Sequence, residues 1–157
     1  MDYNRERAVA YARKWAHERN PAYCNFDEMG GDCTNFCSQC LYAGGGVMNY
    51  THDTGWYYSS PNNRAAAWSS VEFLHQFLIF NESAGPYAAE LSLEDAQPGD
   101  IIQLSFDGNL FKHSLFVVGV KPDILIAAHS EDSLDRPLSS YHYQRARLLC
   151  VDGVRHL

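Results

Sequence analysis

The sequence predicts an α+β domain. Segments with helical periodicity fill the first half of the chain, and short apolar, β-branched runs joined by turns fill the second. That order favours helices packed on an antiparallel sheet. At 157 residues, with 46% hydrophobic and 13% aromatic side chains, the chain has the commonest size of one domain and can build a sizeable core and line a cleft. One domain over residues 1–157 is expected, without repeat, linker or low-complexity segment.

Each element has a local reason. Asn4 to Asn20 reads as a helix, because Ala8, Tyr11, Ala12, Trp15 and Ala16 fall on one stripe and Asn20-Pro21 ends it. Cys24 to Gly31 is a loop closed by paired glycines. Asp32 is placed to cap a second helix from Cys33 to about Ala43, stopped by Gly44-Gly45-Gly46. Val47 to Arg64 is polar, aromatic and turn-rich, and reads as a long surface loop. Ser69-Ser70-Val71-Glu72 has a capping-box pattern and opens a third helix with Val71, Leu74, Phe77 and Leu78 on one face. Pro98-Gly99-Asp100 launches the strand Ile101–Leu104, and Asp107-Gly108-Asn109 is the next turn. His113 to Val120 and Ile124 to Ala128 form a hairpin about Lys121-Pro122-Asp123, and Arg145 to Val151 is the last strand.

Charge narrows the partners. The formal net charge is −7 and no basic stripe is present, which argues against a general nucleic-acid binder and against attraction to anionic membrane surfaces. No run approaches the roughly 18 apolar residues of a membrane-spanning helix. Met1 to Arg7 lacks the apolar core of a signal peptide. A cytoplasmic protein and an excised domain of an exported one both fit. The five cysteines (Cys24, Cys33, Cys37, Cys40 and Cys150) are odd in number and clustered, unlike a disulfide framework.

Cys33 opens its helix directly after Gly30-Gly31-Asp32. A helix N-terminus carries about half a positive charge, a field that lowers a thiol pKa and favours the nucleophilic thiolate. Cys33, Cys37 and Cys40 share one helix side, and their C-x3-C-x2-C spacing admits four readings: a nucleophile with two packing thiols, an iron–sulfur site, a zinc site completed by Cys24 or a histidine, or a purely structural cluster. The nucleophile leads and the structural cluster follows; no metal or cofactor is expected. Along the hairpin, His113, Leu115, Val117 and Gly119 share one face, and Leu125, Ala127 and His129 share one face of the return strand. With the turn centred on Lys121 or on Pro122, the two histidines are opposite or diagonal, with Cβ atoms about 4.5–8 Å apart. One imidazole then serves as base toward a thiol while the other orients it.

Gly30-Gly31-Asp32-Cys33-Thr34-Asn35-Phe36 with Ser38-Gln39 resembles the nucleophile motif of the putative amidase domain family, which belongs with the NlpC/P60 and CHAP groups of papain-like hydrolases. The resemblance runs through Tyr3-Asn4-Arg5, Arg19-Asn20-Pro21, Tyr23, Ala43-Gly44-Gly45, Trp56-Tyr57, Trp68, Pro98 to Gln103, His113-Ser114, His129-Ser130 and Arg136-Pro137-Leu138. Cys37, where an apolar residue is usual, departs from the pattern and raises redox sensitivity.

The resemblance implies a papain-like fold, N-terminal helices packed on a small antiparallel sheet. It selects Cys33 over Cys37 and Cys40 as nucleophile, His113 as base and His129 as the third, orienting residue, with Asp132 and Glu131 close by. The oxyanion and substrate side of the site then includes the Cys33 N–H, Tyr23 by its position in the family pattern, and Asp32. Trp56, with Tyr57 and Tyr58, is expected to wall the cleft. The implied reaction is amide or peptide hydrolysis through a Cys33 thioester, with cell-wall peptide (peptidoglycan) as one substrate class. A catalytically inactive binding module and an acyltransferase using the same dyad are the alternatives.

Overall fold

A computed structural model describes residues 2–156; Met1 and Leu157, the bounds of the expected domain, lie outside the described residues. Helix α1 (Arg5–Trp15) begins where Asn4 Oδ1 accepts the Arg7 N–H at 2.9 Å, and it ends before the expected Asn20. Its buried face is Ala8 and Ala12, extended by Ala16. Side chains this small let α1 lie close on α2 (Cys33–Gly45), and a Cβ built on Gly44 would stand 2.6 Å from the Tyr3 ring. Helix α2 runs past the expected Ala43. It ends at Gly46, left-handed at φ 73°, whose N–H reaches Tyr42 O at 2.8 Å.

Every residue of α2 from Cys33 to Leu41 is buried. A helix covered all round belongs at the centre of a molecule, and here α1 covers one flank and the sheet another. The stretch 47–64 differs from the surface loop expected of it. Asn49 and Trp56 form an isolated bridge, and β1 (Tyr58–Ser60) pairs antiparallel with β2 (Asn63–Arg64). Short α3 (Ala66–Ser69) leads into α4 (Val71–Phe80), which buries Leu74, Phe77 and Leu78. The Ser70 side chain makes no cap there, and Ser69 Oγ instead accepts from Arg64 Nε at 2.9 Å.

Six antiparallel strands follow: β3 (Gly85–Leu91), β4 (Ile101–Ser105), β5 (His113–Gly119), β6 (Leu125–Ala128), β7 (Ser133–Pro137) and β8 (Arg145–Arg155). Their spatial order is β3-β8-β4-β5-β6-β7. Strands β3 and β7 are absent from the sequence reading. Both are edges, one opening with Gly-Pro and the other ending in Pro, and neither shows the apolar run that marks the buried strands. One face of the sheet, with Ile101, Phe116, Val118, Ala127, Leu149 and Val151, meets the helices. The other, with Ile102, Leu104, Leu115, Val117, Ile126 and Leu148, is covered by Leu93, Leu138, Tyr141 and Tyr143. Two covered faces explain why β4 and β5 read as continuous apolar runs rather than alternating ones.

The hairpin register departs from both expected forms. Gly119 faces Leu125, as a turn centred on Pro122 requires. An irregularity at Val118 then adds one residue to β5, and beyond it Val117 faces Ile126 and Phe116 faces Ala127. A slip of one residue exchanges faces. His113, which pairs with Leu104, therefore stands on the Leu115–Val117 side, and His129 continues the Ala127 side toward the helices.

Candidate active site

The site forms where the 24–31 loop enters α2. Gly30 and Gly31 take φ of 102° and 107°, a region that admits glycine at no steric cost. They reverse the chain so that Asp32 and Cys33 turn inward. Asp32 occupies the N-cap position without capping it through its side chain. Its Oδ1 instead accepts the Phe26 N–H at 2.8 Å and Asn35 Nδ2 at 2.9 Å. Its Oδ2 lies 2.6 Å from His129 Nδ1 and 3.4 Å from Arg19 Nε.

Cys33 is 9% exposed. Its Sγ lies 3.8 Å from Thr34 Oγ1. Burial pushes the thiol pKa above its ordinary value; the Ser114 and Thr34 donors oppose that, and the Asp32 charge adds to it. The expected lowering at the helix N-terminus is thus outweighed by desolvation. Cys37 and Cys40 are wholly buried, and burial raises both thiols strongly. Among the described residues no three or more His, Cys, Asp or Glu side chains are grouped to hold a metal ion.

The histidines are parted by the sheet. His113 is buried between Phe106 and Tyr141, with ring centroids 6.4 and 6.0 Å away. Burial, and next the Arg136 charge, lower its pKa from 6.5 to about 4. Among the described residues its ring makes no hydrogen bond. His129 stacks on Phe36 at 4.0 Å and has both nitrogens engaged: Nδ1 with Asp32, and Nε2 donating to Trp15 O at 2.6 Å. Arg19 closes the same corner, its guanidinium bonding Asp27 and Asp132 at 2.9 Å each.

Tyr23 packs among aromatic rings rather than against these side chains. It stacks on Trp68 at 5.9 Å and meets Tyr58 at 5.1 Å, and burial raises its pKa to about 12. Trp68 Nε1 in turn donates to Asn35 Oδ1 at 2.8 Å. Trp56 does not wall a cleft: it is fully buried, donates to Ser38 Oγ at 3.0 Å and packs on Trp68 and Phe77. An indole with a buried partner for its N–H is held in the core, which draws the 47–56 segment inward. Three side chains near the site entered the sequence reading only as part of the family pattern, without a role: Ser114, Gln103 and Arg19. For the first two the signal was present as a single polar residue inside an apolar strand, which when buried must find partners.

These elements define a mixed helix–sheet domain with a buried thiol at the start of its central helix. The chain belongs to the family described as a putative amidase domain, whose profile matches residues 2–151. It is also similar to the uncharacterized protein YhbB of Bacillus subtilis (strain 168), 38% identical over 122 residues. That match covers 75% of this chain and 38% of the relative, so the chain spans well under half of that protein's length. No solved structure matches the chain. No helix among the described residues is long and apolar enough to cross a membrane.

Proposed function

We propose that the protein is a cysteine amidase or peptidase of papain-like design, akin to the NlpC/P60 and CHAP hydrolases, with Cys33 as nucleophile and His113 as general base. The observation that carries the reading is Cys33 at the first turn of a helix packed on the antiparallel sheet, inside a family described by amide chemistry. Between the two histidines, His113 is the better base. A base needs a free nitrogen, and both nitrogens of His129 are engaged. His113 also directly precedes Ser114, whose hydroxyl lies 3.0 Å from that of Thr34, the neighbour of Cys33. The ring here packs on Phe106 and Tyr141 on the sheet face away from Cys33, so the mechanism requires the chain at the first residue of β5 to turn over and bring the ring to the helix side.

The steps follow. His113 takes the S–H proton as Sγ attacks the amide carbonyl carbon. The Cys33 N–H at the uncapped helix start and the Tyr23 hydroxyl receive the developing oxyanion. The C–N bond breaks and His113 returns its proton to the leaving amine. Water, deprotonated by the same ring, then releases the acid and the thiol. Thiol and imidazole both start uncharged near neutral pH, as the directions of their shifts require.

Peptide amides, cell-wall peptides first among them, are the substrates to screen. Wild type is expected to turn over at least one member of a peptide and muropeptide panel, and Cys33→Ala none while keeping its fold; full turnover by Cys33→Ala overturns the reading. The raised thiol and the outward-set His113 favour one rival, a binding module with an inactive site. That rival requires a Cys33 that resists thiol-directed electrophiles at neutral pH.

A further inference from the structure

A file of buried polar side chains runs from the sheet to the Cys33 sulfur. Gln103 and Ser114 are fully buried on adjacent strands and paired across them, and Thr34 is buried on α2. Gln103 Oε1 accepts from Arg147 Nε at 2.9 Å and from Arg147 Nη2 at 2.7 Å. Gln103 Nε2 donates to Val71 O at 3.0 Å and to Ser114 Oγ at 3.2 Å. Ser114 Oγ lies 3.0 Å from Thr34 Oγ1, which lies 3.8 Å from Cys33 Sγ.

The sheet half of this file has a fixed direction. A guanidinium only donates, and a carbonyl only accepts. Turning the Gln103 amide over would set its oxygen against Val71 O and its NH2 against Arg147, so one orientation is allowed. Gln103 therefore donates to Ser114. Across the Ser114–Thr34 and Thr34–Cys33 contacts either atom can donate; when Cys33 is a thiolate it can only accept, so the Thr34 proton then faces Sγ and the Ser114 proton faces Thr34 Oγ1. In that charged state each link points its hydrogen at the sulfur, starting from a fixed positive charge.

We propose that this file activates Cys33 from the sheet side, with Thr34 as the hydroxyl that donates to the thiolate and Ser114, Gln103 and Arg147 as positioning residues that fix its direction. This rests on reading Cys33 as the nucleophile. A sulfur removed from water loses its hydration, and preorganised donors replace it in the charged form. Successive bonds in such a chain polarise one another. The file acts on the thiol independently of His113, which stands on the other face of the sheet.

The test is the pH profile of Cys33 alkylation by iodoacetamide, followed by mass mapping of the Cys33 peptide. Thr34→Val keeps the shape of the side chain and removes the hydroxyl. It is expected to move the alkylation midpoint up by about one pH unit, so that the reaction at pH 7 slows about tenfold, the thiolate fraction setting the rate. Thr34→Ser should restore the profile to within about twofold. Ser114→Ala, which leaves Thr34 in place without its partner, should slow the reaction about threefold. A merely structural role would lower the urea midpoint and leave the alkylation midpoint in place. An unchanged profile in folded Thr34→Val overturns the proposal; if that variant does not fold, an unchanged profile in Ser114→Ala overturns it. Turnover by Cys33→Ala, with these shifts intact, would instead overturn the catalytic reading and leave the file standing.

Discussion

His113 and His129 lie near the ends of neighbouring strands, yet one added residue at Val118 sends them to opposite sides of the sheet. On the helix side, His129 is bonded at both nitrogens and ties the end of α1, through Trp15 O, to the start of α2, through Asp32. On the other side His113 sits among aromatic rings, and burial, not a partner, decides its charge. The same side chain is thus a brace in one place and, in the proposed mechanism, the base in the other. What its nitrogens face decides between the roles, and register decides what they face.

The largest expected effect separates the two on two measurements. His113→Ala should lower kcat/KM by about 10²–10⁴, the usual worth of a general base, with a modest change in the urea midpoint. His129→Ala breaks a buried, hydrogen-bonded pair and should destabilise by about 3–5 kcal/mol. Asp32→Asn and His129→Gln should be strongly non-additive in a double-mutant cycle, by about 1–3 kcal/mol, whereas Asp32→Asn and His113→Gln should add. Equal activity losses with unchanged stability in both alanine variants would collapse the comparison and make His129 an orienting partner of the base.

Acid exposes the next difference. His113 has its folded pKa lowered from 6.5 to about 4, so between those values the unfolded chain holds a proton that the folded chain lacks. Stability must then fall as pH drops through this window, by about 3 kcal/mol at about 1.36 kcal/mol per unit. Urea midpoints from pH 7 to pH 4 should show that slope in wild type and lose it in His113→Gln. With the neutral ring as the proposed base, the acid limb of kcat/KM should lie near pH 4, well below that of a solvated histidine. An acid limb near pH 6.5 would mean that the ring is solvated in the working enzyme.

Much of this arrangement was legible from sequence, though unevenly. The stripe Ala8-Ala12-Ala16 and the run from Phe36 onward placed α1 and α2 because helical periodicity is local. The positions of Cys33 and His113, at the first residues of α2 and β5, were legible for the same reason, since each follows a turn that opens an element. The facing of the two histidines was missed, because a bulge is set by packing on both sides of a strand and leaves no mark in Val117-Val118-Gly119. Asp32 was read as a cap, the local choice for that residue, while His129, 97 positions away, won its carboxylate. Cys33 was expected to be an acidic thiol on the helix field alone; the desolvation that outweighs the field depends on β5 lying across the helix start. Trp56 looked like a loop aromatic because its partner, Ser38, lies 18 residues back on α2.

The smallest effect tests how far the brace extends. Arg19 spans Asp27 and Asp132 and approaches Asp32, but it is 23% exposed and its outer partners 41% and 30%. Ion pairs this open contribute little, about 1 kcal/mol or less, and weaken as salt screens them. Arg19→Lys keeps the charge and loses the planar fork that serves two carboxylates at once. The variant should therefore lose about 1 kcal/mol at low salt, with less than half of that remaining at about 1 M salt, where the screening length falls to about 3 Å. His129→Gln should show nearly the same loss at both, since its pair is sealed from solvent at 1% exposure on each side. A loss in Arg19→Lys as large and as salt-independent as that of His129→Gln would make the guanidinium the organising charge of the corner, with the Asp32 carboxylate held from outside as firmly as from within.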